Sequence, residues 1–278
     1  MNNKYCDFHI HCNFSSDSDA SPEAMIEQAI KIGLSSICFT DHNDFNYPVQ
    51  NGTKEFQLPF NNYISHINNL KQKYSSRILI NIGVEQGLCK EFSKETDNYD
   101  DNNFLDFIIG SSHIIDGEDP YYTEFWKNHS TKSRILSYFE NVLENIRSCS
   151  NFDVYGHLDY IIRYIPTNQD DYNEGYKYKW TDYFDIIDCI LKELIEQGKG
   201  IEVNTSGLKY GLQSPNPCFE IIKRYRELNG EIITTGSDAH EPKYIAYSFE
   251  KLPDLLKSAG FKYYTIFNKR KPEFIKII

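Results

Sequence analysis

The sequence lacks the cysteine pairs and long apolar runs that mark secreted or membrane-spanning proteins. It contains no Cys-x-x-Cys, and its 7 cysteines are an odd number that disulfides within one chain cannot use up. It has no apolar run of about 18 residues, and its first residues carry no hydrophobic segment like that of a signal peptide. We therefore expect a cytoplasmic protein with free, buried thiols and no membrane partner.

Positive charge is also in short supply. Lys and Arg number 29 against 40 Asp and Glu, which gives a formal net charge of −11 at pH 7. A protein that binds nucleic acid irrespective of sequence needs a basic surface, so this class is disfavoured. A phosphorylated small molecule would need a locally positive site, made by metal ions or by a few placed cations.

What the chain does have is a regular alternation of short apolar runs with longer amphipathic stretches. The runs that predict strands lie near 4–10, 36–40, 78–84, 105–110, 153–156, 200–204, 231–236 and 262–267. Helical patterns lie between them, at about 21–33, 60–74, 135–146, 182–198 and 217–230. This alternation predicts an α/β fold with a parallel sheet, and seven or eight such units predict a closed barrel. No boundary divides residues 1–278, so we expect one domain.

Long polar segments interrupt the alternation at 42–58, 86–104, 114–132 and 162–181. In a compact domain such segments are more often lids or binding loops than linkers. We expect them to close over a small molecule.

Residue types that bind metals stand at the ends of the predicted strands. The ends read Asp7-Phe8-His9-Ile10-His11, Thr40-Asp41-His42, Gly83-Val84-Glu85, Gly110-Ser111-Ser112-His113, Gly156-His157-Leu158-Asp159, Glu202-Val203-Asn204 and Ser237-Asp238-Ala239-His240. The carboxyl ends of parallel barrel strands meet at one face, where such folds place their chemistry. Of the 8 histidines, all but His66 and His129 stand at these ends. Imidazoles and carboxylates gathered so closely would oppose one another without cations, so the sequence predicts a metal site.

In residue type and order, these segments resemble the polymerase-and-histidinol-phosphatase (PHP) superfamily over almost the whole chain. Within the superfamily the chain resembles the histidinol-phosphatase branch in four segments. These are 109–113 (Ile-Gly-Ser-Ser-His), 156–164 (Gly-His-Leu-Asp-Tyr-Ile-Ile-Arg-Tyr), 201–207 (Ile-Glu-Val-Asn-Thr-Ser-Gly) and 267–272 (Phe-Asn-Lys-Arg-Lys-Pro). The resemblance implies a distorted (β/α)7 TIM-like barrel with two or three divalent metal ions (zinc, iron or manganese) at its C-terminal mouth. It also implies a histidinol-phosphatase, which hydrolyses L-histidinol phosphate to L-histidinol and phosphate in histidine biosynthesis.

Carried across residue by residue, the resemblance implies three metal positions. His9, His11, Glu85 and Asp238 would hold the first ion, and Glu85 would bridge to a second, completed by His113 and His157. Asp17, His42 and His240 would hold the third. Several superfamily members have His where this chain has Asp17, so this site would favour iron or manganese over zinc. Asp19 is the alternative ligand.

The same pattern predicts how phosphate would be released. A metal-activated hydroxide attacks a phosphomonoester without a covalent intermediate, and no Gly-x-Ser-x-Gly nucleophile motif is present. We assign catalysis to the ligands Glu85 and Asp238 together with Arg163, whose guanidinium matches two phosphate oxygens. Arg163 and Asn204 are the predicted substrate-binding residues.

Two further sets of residues are expected around the site. Asp41 and Asp159 should accept hydrogen bonds from ligand imidazoles. The partner of the substrate's ammonium group is sought in the acidic loops, among Glu91, Asp97, Asp100, Glu118 and Asp119.

Other functions remain open beside this one. Another phosphatase of the superfamily, acting on protein phosphotyrosine or on other small phosphate esters, would share the metals and differ in its loops. A nuclease is disfavoured by the acidic charge and by the absence of an attached polymerase. A barrel that only binds would have lost ligands, and none is lost here. The sequence leaves the oligomeric state undetermined.

Overall fold

Strands and helices alternate in the computed structural model, which describes residues 6–48, 56–99, 104–166 and 176–278. The strands are β1 (Cys6–Ile10), β2 (Ser36–Phe39), β3 (His42–Asp44), β4 (Leu79–Gly87), β5 (Phe107–Ser111), β6 (Val154–Tyr155), β7 (Gly200–Asn204), β8 (Ile233–Gly236), β9 (Tyr263–Asn268) and β10 (Lys271–Lys276). The helices are α1 (Pro22–Lys31), α2 (Phe60–Lys73), α3 (Ser93–Asp97), α4 (Thr123–Trp126), α5 (Thr131–Ser148), α6 (Phe184–Glu196), α7 (Ser206–Lys209), α8 (Phe219–Glu227) and α9 (Leu252–Ser258).

The strands form a nearly closed parallel barrel. Its order is β1-β2-β4-β5-β6-β7-β8, and β3 pairs with β4 beyond the end of β2, so that β2 and β3 share one of seven positions. The last strand meets the first through a bridge between Ile10 and Ala239, where His11 N donates to Ala239 O over 2.9 Å. The predicted (β/α)7 architecture is confirmed.

Burial explains why these segments form strands and helices. Every residue of β1, β2, β5, β7 and β8 is buried, as expected of parallel strands covered on both faces. The first helix begins where the sequence predicts, since the Ser21 side chain accepts from Ala24 N and Pro22 occupies the first turn. Its buried residues, which include Met25 and Ile26, face the barrel.

The apolar run near 262–267 forms β9, but not as a strand of the barrel. It pairs antiparallel with β10 through a two-residue turn in which Lys269 and Arg270 both have positive φ, 48° and 62°. At this turn Arg270 Nε donates to Asp153 Oδ2 (2.6 Å) and Lys269 N to Asp106 Oδ1 (3.3 Å). Both carboxylates precede their strands, β6 and β5, so the hairpin lies at the N-terminal end of the barrel, away from the mouth.

The predicted polar loops contain some regular structure. β3 lies within 42–58, a short helix (α3) within 86–104 and another (α4) within 114–132. Residues 49–55, 100–103 and 167–175 of these predicted loops lie outside the described residues.

Two expectations from composition can be compared with the structure. All seven cysteines are free, and only Cys189 among them is exposed, so the prediction of buried thiols is wrong at that one position. Within the described residues, no helix combines the length and apolar character needed to cross a bilayer.

Candidate metal centre

Six imidazoles gather where the barrel strands end. His9 lies on β1 and His11 directly after its last residue, with their ring centroids 5.1 Å apart, and the His11 ring stacks on that of His240 at 4.0 Å. The ring centroids of His9 and His157 lie 5.8 Å apart, although the two residues are 148 positions apart in the sequence. His66 and His129, which the sequence leaves outside the site, are exposed elsewhere.

The Glu85 carboxylate is the centre of this cluster. It is fully buried on β4, and it lies within 3.4 Å of a ring nitrogen of five imidazoles: His9, His11, His42, His113 and His157. Oε2 faces the first three and Oε1 the last two, and Ser111 Oγ donates to Oε1 over 2.7 Å. A carboxylate with both oxygens so placed can bridge two cations.

Two aspartates complete the cluster. Asp238 Oδ1 lies 3.5 Å from His11 Nε2 and 3.8 Å from His9 Nε2. Asp17 Oδ2 lies 3.1 Å from His240 Nε2 and 3.5 Å from His42 Nε2. Asp17 therefore faces the imidazoles of the third predicted site, whereas Asp19 forms no ion pair with them in the described residues.

A close approach of β8 to β1 makes this gathering possible. A Cβ at Gly236 would lie 2.3 Å from both His9 Cβ and Glu202 Oε1. Only glycine fits at this position, where β8 delivers Asp238 beside the β1 histidines. Asp238 itself adopts a left-handed conformation, with φ of 54°.

The donor atoms fit metal ions. Four groups have ligand atoms within 4.8 Å of one another: His9, His11 and Asp238; His9, Glu85 and His157; His42, Glu85 and His113; and His11, His42 and His240. His11 Nε2, His42 Nδ1 and His240 Nε2 are buried without a hydrogen bond to any part of the chain that the structure describes. Nitrogen and oxygen ligands lie about 2.0–2.2 Å from zinc, so atoms at these separations can share ions.

The structure thus brings all nine predicted ligands into one cluster. The four groups cut across the three sets implied by the resemblance, because His157 falls with His9 and His113 with His42.

Most of the imidazoles are held by their Nδ1 atoms so that Nε2 faces the cluster. His9 Nδ1 donates to Glu202 Oε1 (2.6 Å), and His113 Nδ1 to Asp44 Oδ1 (2.8 Å). Such outer hydrogen bonds fix the tautomer and the ring orientation of a ligand. Sequence reasoning missed both carboxylates. Glu202 could have been found from the sequence, because it stands two residues before Asn204 on β7 and residues at this spacing share one face of a strand.

The predicted roles of Asp41 and Asp159 need correction. Asp41 acts through Ser15, whose hydroxyl donates to Asp41 Oδ1 (2.8 Å) and lies 3.1 Å from His11 Nδ1. Asp159 accepts instead from Asn216 Nδ2 (2.5 Å) and from the backbone N of Cys218 (2.9 Å). The prediction that Asp159 accepts a hydrogen bond from an imidazole is wrong, because both of its carboxylate oxygens bind the segment before α8.

Charge complementarity sets the protonation of the cluster. Burial disfavours an ionised Glu85, but the imidazoles of His9, His42 and His113 hold its pKa well below the ordinary value. Burial likewise opposes a charged His9, yet the carboxylates of Glu202 and Glu85 raise its pKa well above the ordinary value. The Glu85 carboxylate is thus anionic, which is the form that can bind a metal cation.

A cavity of about 480 Å³ opens above the cluster. Its floor includes Glu85 and Asp238, and its walls carry Arg163, Lys209, Asp119 and several tyrosines. A volume of this size suits a small molecule.

Arg163 lies in this cavity wall, on a 3₁₀ helix (Tyr160–Tyr164), and its side chain is buried. It pairs with Asp238 Oδ2 (3.1 Å) and donates to Asn216 Oδ1 (2.8 Å) and Asn204 Oδ1 (3.2 Å). Asn204 is fully buried and is not among the residues that line the cavity. Its position behind Arg163 suits orientation of the guanidinium better than direct contact with substrate.

Cys218 and Arg224 have the Cys-x5-Arg spacing found in phosphatases that use a cysteine nucleophile. Burial, and then the nearby Asp159, raise the pKa of the Cys218 thiol, so a reactive thiolate is disfavoured. Arg224 lies within α8 and pairs with Asp188 over 2.8 Å. Neither residue lines the cavity, and this pair does not form a phosphate loop.

Together, the fold and the site define a metal-binding α/β-barrel enzyme. The model of the PHP domain family matches residues 7–206, and the chain belongs to this family. The resemblance seen in the sequence is thereby confirmed.

Two curated relatives are similar over nearly their whole length. The chain is 31% identical over 269 residues to the histidinol-phosphatase of Lactococcus lactis, covering 96% of each protein. It is 32% identical over 256 residues to a probable histidinol-phosphatase of Clostridium acetobutylicum, covering 92% of this chain and 94% of the relative.

A solved structure is also similar over nearly the whole of both chains. The histidinol phosphate phosphatase of Lactococcus lactis, crystallised with zinc, L-histidinol and phosphate, superposes with a TM-score of 0.85 at 30% identity. The match covers 97% of this chain and 99% of that one.

Proposed function

We propose that this chain is a histidinol-phosphatase, which hydrolyses L-histidinol phosphate to L-histidinol and phosphate, a step of histidine biosynthesis. The observation that carries the proposal is the near full-length similarity to the Lactococcus lactis enzyme, which was crystallised with zinc, L-histidinol and phosphate. The cavity above the ligand cluster has room for such a molecule.

We assign the ligands to two or three divalent ions. His9, His11 and Asp238 would hold the first, His113 and His157 the second with Glu85 between them, and Asp17, His42 and His240 the third. Zinc in the relative supports zinc here, while the carboxylate of Asp17 also suits iron or manganese. Bound ions would lower the pKa of water to about 7 and so supply a nucleophile at neutral pH.

The protein's own contribution to phosphate binding comes from Arg163. A guanidinium has five N–H donors, and this one directs three at Asn216, Asn204 and Asp238. Two donors are left for phosphate oxygens, and the three existing bonds hold the group at the cavity wall. Burial disfavours the charged guanidinium, but the Asp238 carboxylate that faces it offsets this cost. Arg163 therefore stays charged.

Replacing Arg163 should lower the rate for every phosphomonoester alike. We expect Arg163→Ala to reduce kcat/KM for histidinol phosphate and for p-nitrophenyl phosphate by a similar factor, roughly 10²–10³, as for loss of an oxyanion donor. Arg224→Ala removes the same charge from the surface of α8 and is the matched control. A loss confined to one of the two substrates would show that Arg163 does not contact the shared phosphate.

Substrate preference tests the proposed function itself. We expect kcat/KM of the metal-loaded enzyme to be higher for histidinol phosphate than for p-nitrophenyl phosphate, although the aryl ester has the better leaving group. Only binding energy from the imidazole and ammonium groups, expressed in the transition state, reverses that intrinsic order. Initial rates of phosphate release from both esters and from a phosphotyrosine peptide make the comparison. Preference for the aryl ester or the peptide would favour another phosphatase activity.

A further inference from the structure

The cavity wall has one carboxylate that the ligand cluster does not use. Five carboxylates line the cavity: Asp17, Asp44, Glu85, Asp119 and Asp238. The other four each lie within 3.1 Å of an imidazole nitrogen or of the Arg163 guanidinium. Among the described residues, Asp119 has no such ion pair. Its side chain accepts only from Tyr121 N (2.8 Å, to Oδ1) and Tyr47 OH (3.1 Å, to Oδ2).

We infer that Asp119 binds the ammonium group of the substrate and so makes the enzyme selective for phosphate esters of amino alcohols, an inference that rests on the proposed function. An ionised carboxylate accepts about four hydrogen bonds, and two are already used to orient this one. The remaining lone pairs face a cavity in which an alkylammonium supplies the missing cation. Burial raises the pKa of Asp119, so that a facing positive charge stabilises its ionised form.

An aromatic wall joins Asp119 to the ligand cluster. Starting from the ligand His113, ring centroids step to Tyr160 (5.5 Å), then Tyr164 (5.0 Å), then Tyr121 (5.6 Å). Tyr121 is also the residue whose backbone N donates to Asp119. The successive rings meet edge to face, so a substrate with its phosphate at the cluster would have aromatic rings for its imidazole to pack against, beside the carboxylate for its ammonium.

The other acidic candidates from the sequence are engaged elsewhere. Glu118 pairs with Arg134 over 2.8 Å, Glu91 accepts from the Cys89 thiol, and Asp97 accepts from Ser150 N. None of these three lines the cavity. Asp100 lies outside the described residues.

The test compares two substrates that differ by the ammonium group alone. Histidinol phosphate and 3-(imidazol-4-yl)propyl phosphate share the imidazole, the chain length and the phosphate. We expect wild type to favour the first by roughly 10- to 150-fold in kcat/KM, the range for a hydrogen bond between charged groups. Asp119→Asn keeps the shape and removes the charge, and it should bring this ratio to within about threefold of one.

Glu118→Gln is the matched control, since it removes the adjacent acidic charge outside the cavity and should leave the ratio at its wild-type value. Calorimetric titration with L-histidinol and with 3-(imidazol-4-yl)propanol gives the same comparison without turnover, and thermal unfolding confirms that both variants fold. An unchanged ratio in Asp119→Asn, or an equal fall for both esters, would overturn the inference while leaving the proposed function intact. A wild type that does not prefer histidinol phosphate to p-nitrophenyl phosphate would instead overturn the proposed function, and the inference with it.

Discussion

Glu85→Gln is expected to abolish phosphatase activity. The Glu85 carboxylate lies within 3.4 Å of five imidazoles of the proposed metal centre and has both oxygens turned into the cluster. A neutral amide offers one weak oxygen ligand and places an N–H where an anion is required. The loss in kcat should therefore exceed the roughly 10–100-fold that follows removal of an outer hydrogen bond to a ligand. Metal analysis of the purified variant should show fewer ions per chain than wild type.

Glu202→Gln is the matched comparison for this variant. It is the same substitution, also in a buried strand, and Glu202 contacts the cluster only through His9 Nδ1 and the backbone N of His157. We expect a loss of about 10–100-fold with most of the metal retained. Near-normal turnover and metal content in Glu85→Gln would show that Glu85 does not bridge ions, whatever Glu202→Gln does.

The gathering of most of the proposed ligands at one mouth could be predicted from sequence because a parallel barrel converts chain position into spatial position. His9 on β1 and His11 just past its end share one face, and the other proposed ligands except Asp17 stand at or just past the end of a barrel strand. Reading where the apolar runs stop therefore collects these residues at one mouth, whereas Asp17, in the loop after β1, was implied by the family resemblance. It does not tell which ring nitrogen faces which carboxylate, and the groupings of His113 and His157 differ from the implied sets for that reason.

The residues that sequence reasoning missed are those whose partners are remote in the chain. Glu202 sits inside the buried run of β7, and its hydrogen bond to His9 spans 193 residues. Asp44 lies on β3, a short polar strand without an apolar pattern, and only its pairing with β4 places it beside His113. The final apolar run has the alternation of a strand, but alternation cannot tell a barrel strand from the hairpin β9–β10. Its turn at Lys269 and Arg270 is fixed instead by Asp106 and Asp153 at the far end of the barrel.

Removal of metal ions should abolish activity and also destabilise the protein. Three carboxylates and six imidazoles converge at the mouth, and ions bound there stabilise the folded chain because the unfolded chain does not assemble the site. One site kept at about 1,000 times its Kd contributes about 4 kcal/mol to the free energy of unfolding. Dialysis against a chelator should therefore lower Tm by roughly 5–15 °C and stop hydrolysis of both histidinol phosphate and p-nitrophenyl phosphate.

Glu85→Gln provides the control for the chelation experiment. Because this variant should hold fewer ions from the start, its Tm should respond less to the chelator than the Tm of wild type does. Adding back zinc, iron or manganese one at a time, with metal content and Tm followed together, identifies the ions that restore both stability and turnover in wild type. A protein shown by metal analysis to be free of ions, yet with unchanged Tm and full activity, would contradict the metal centre altogether. The buried nitrogens of His11, His42 and His240 form no hydrogen bond among the described residues, and they would then face the carboxylates of Glu85 and Asp17 with no ion between them.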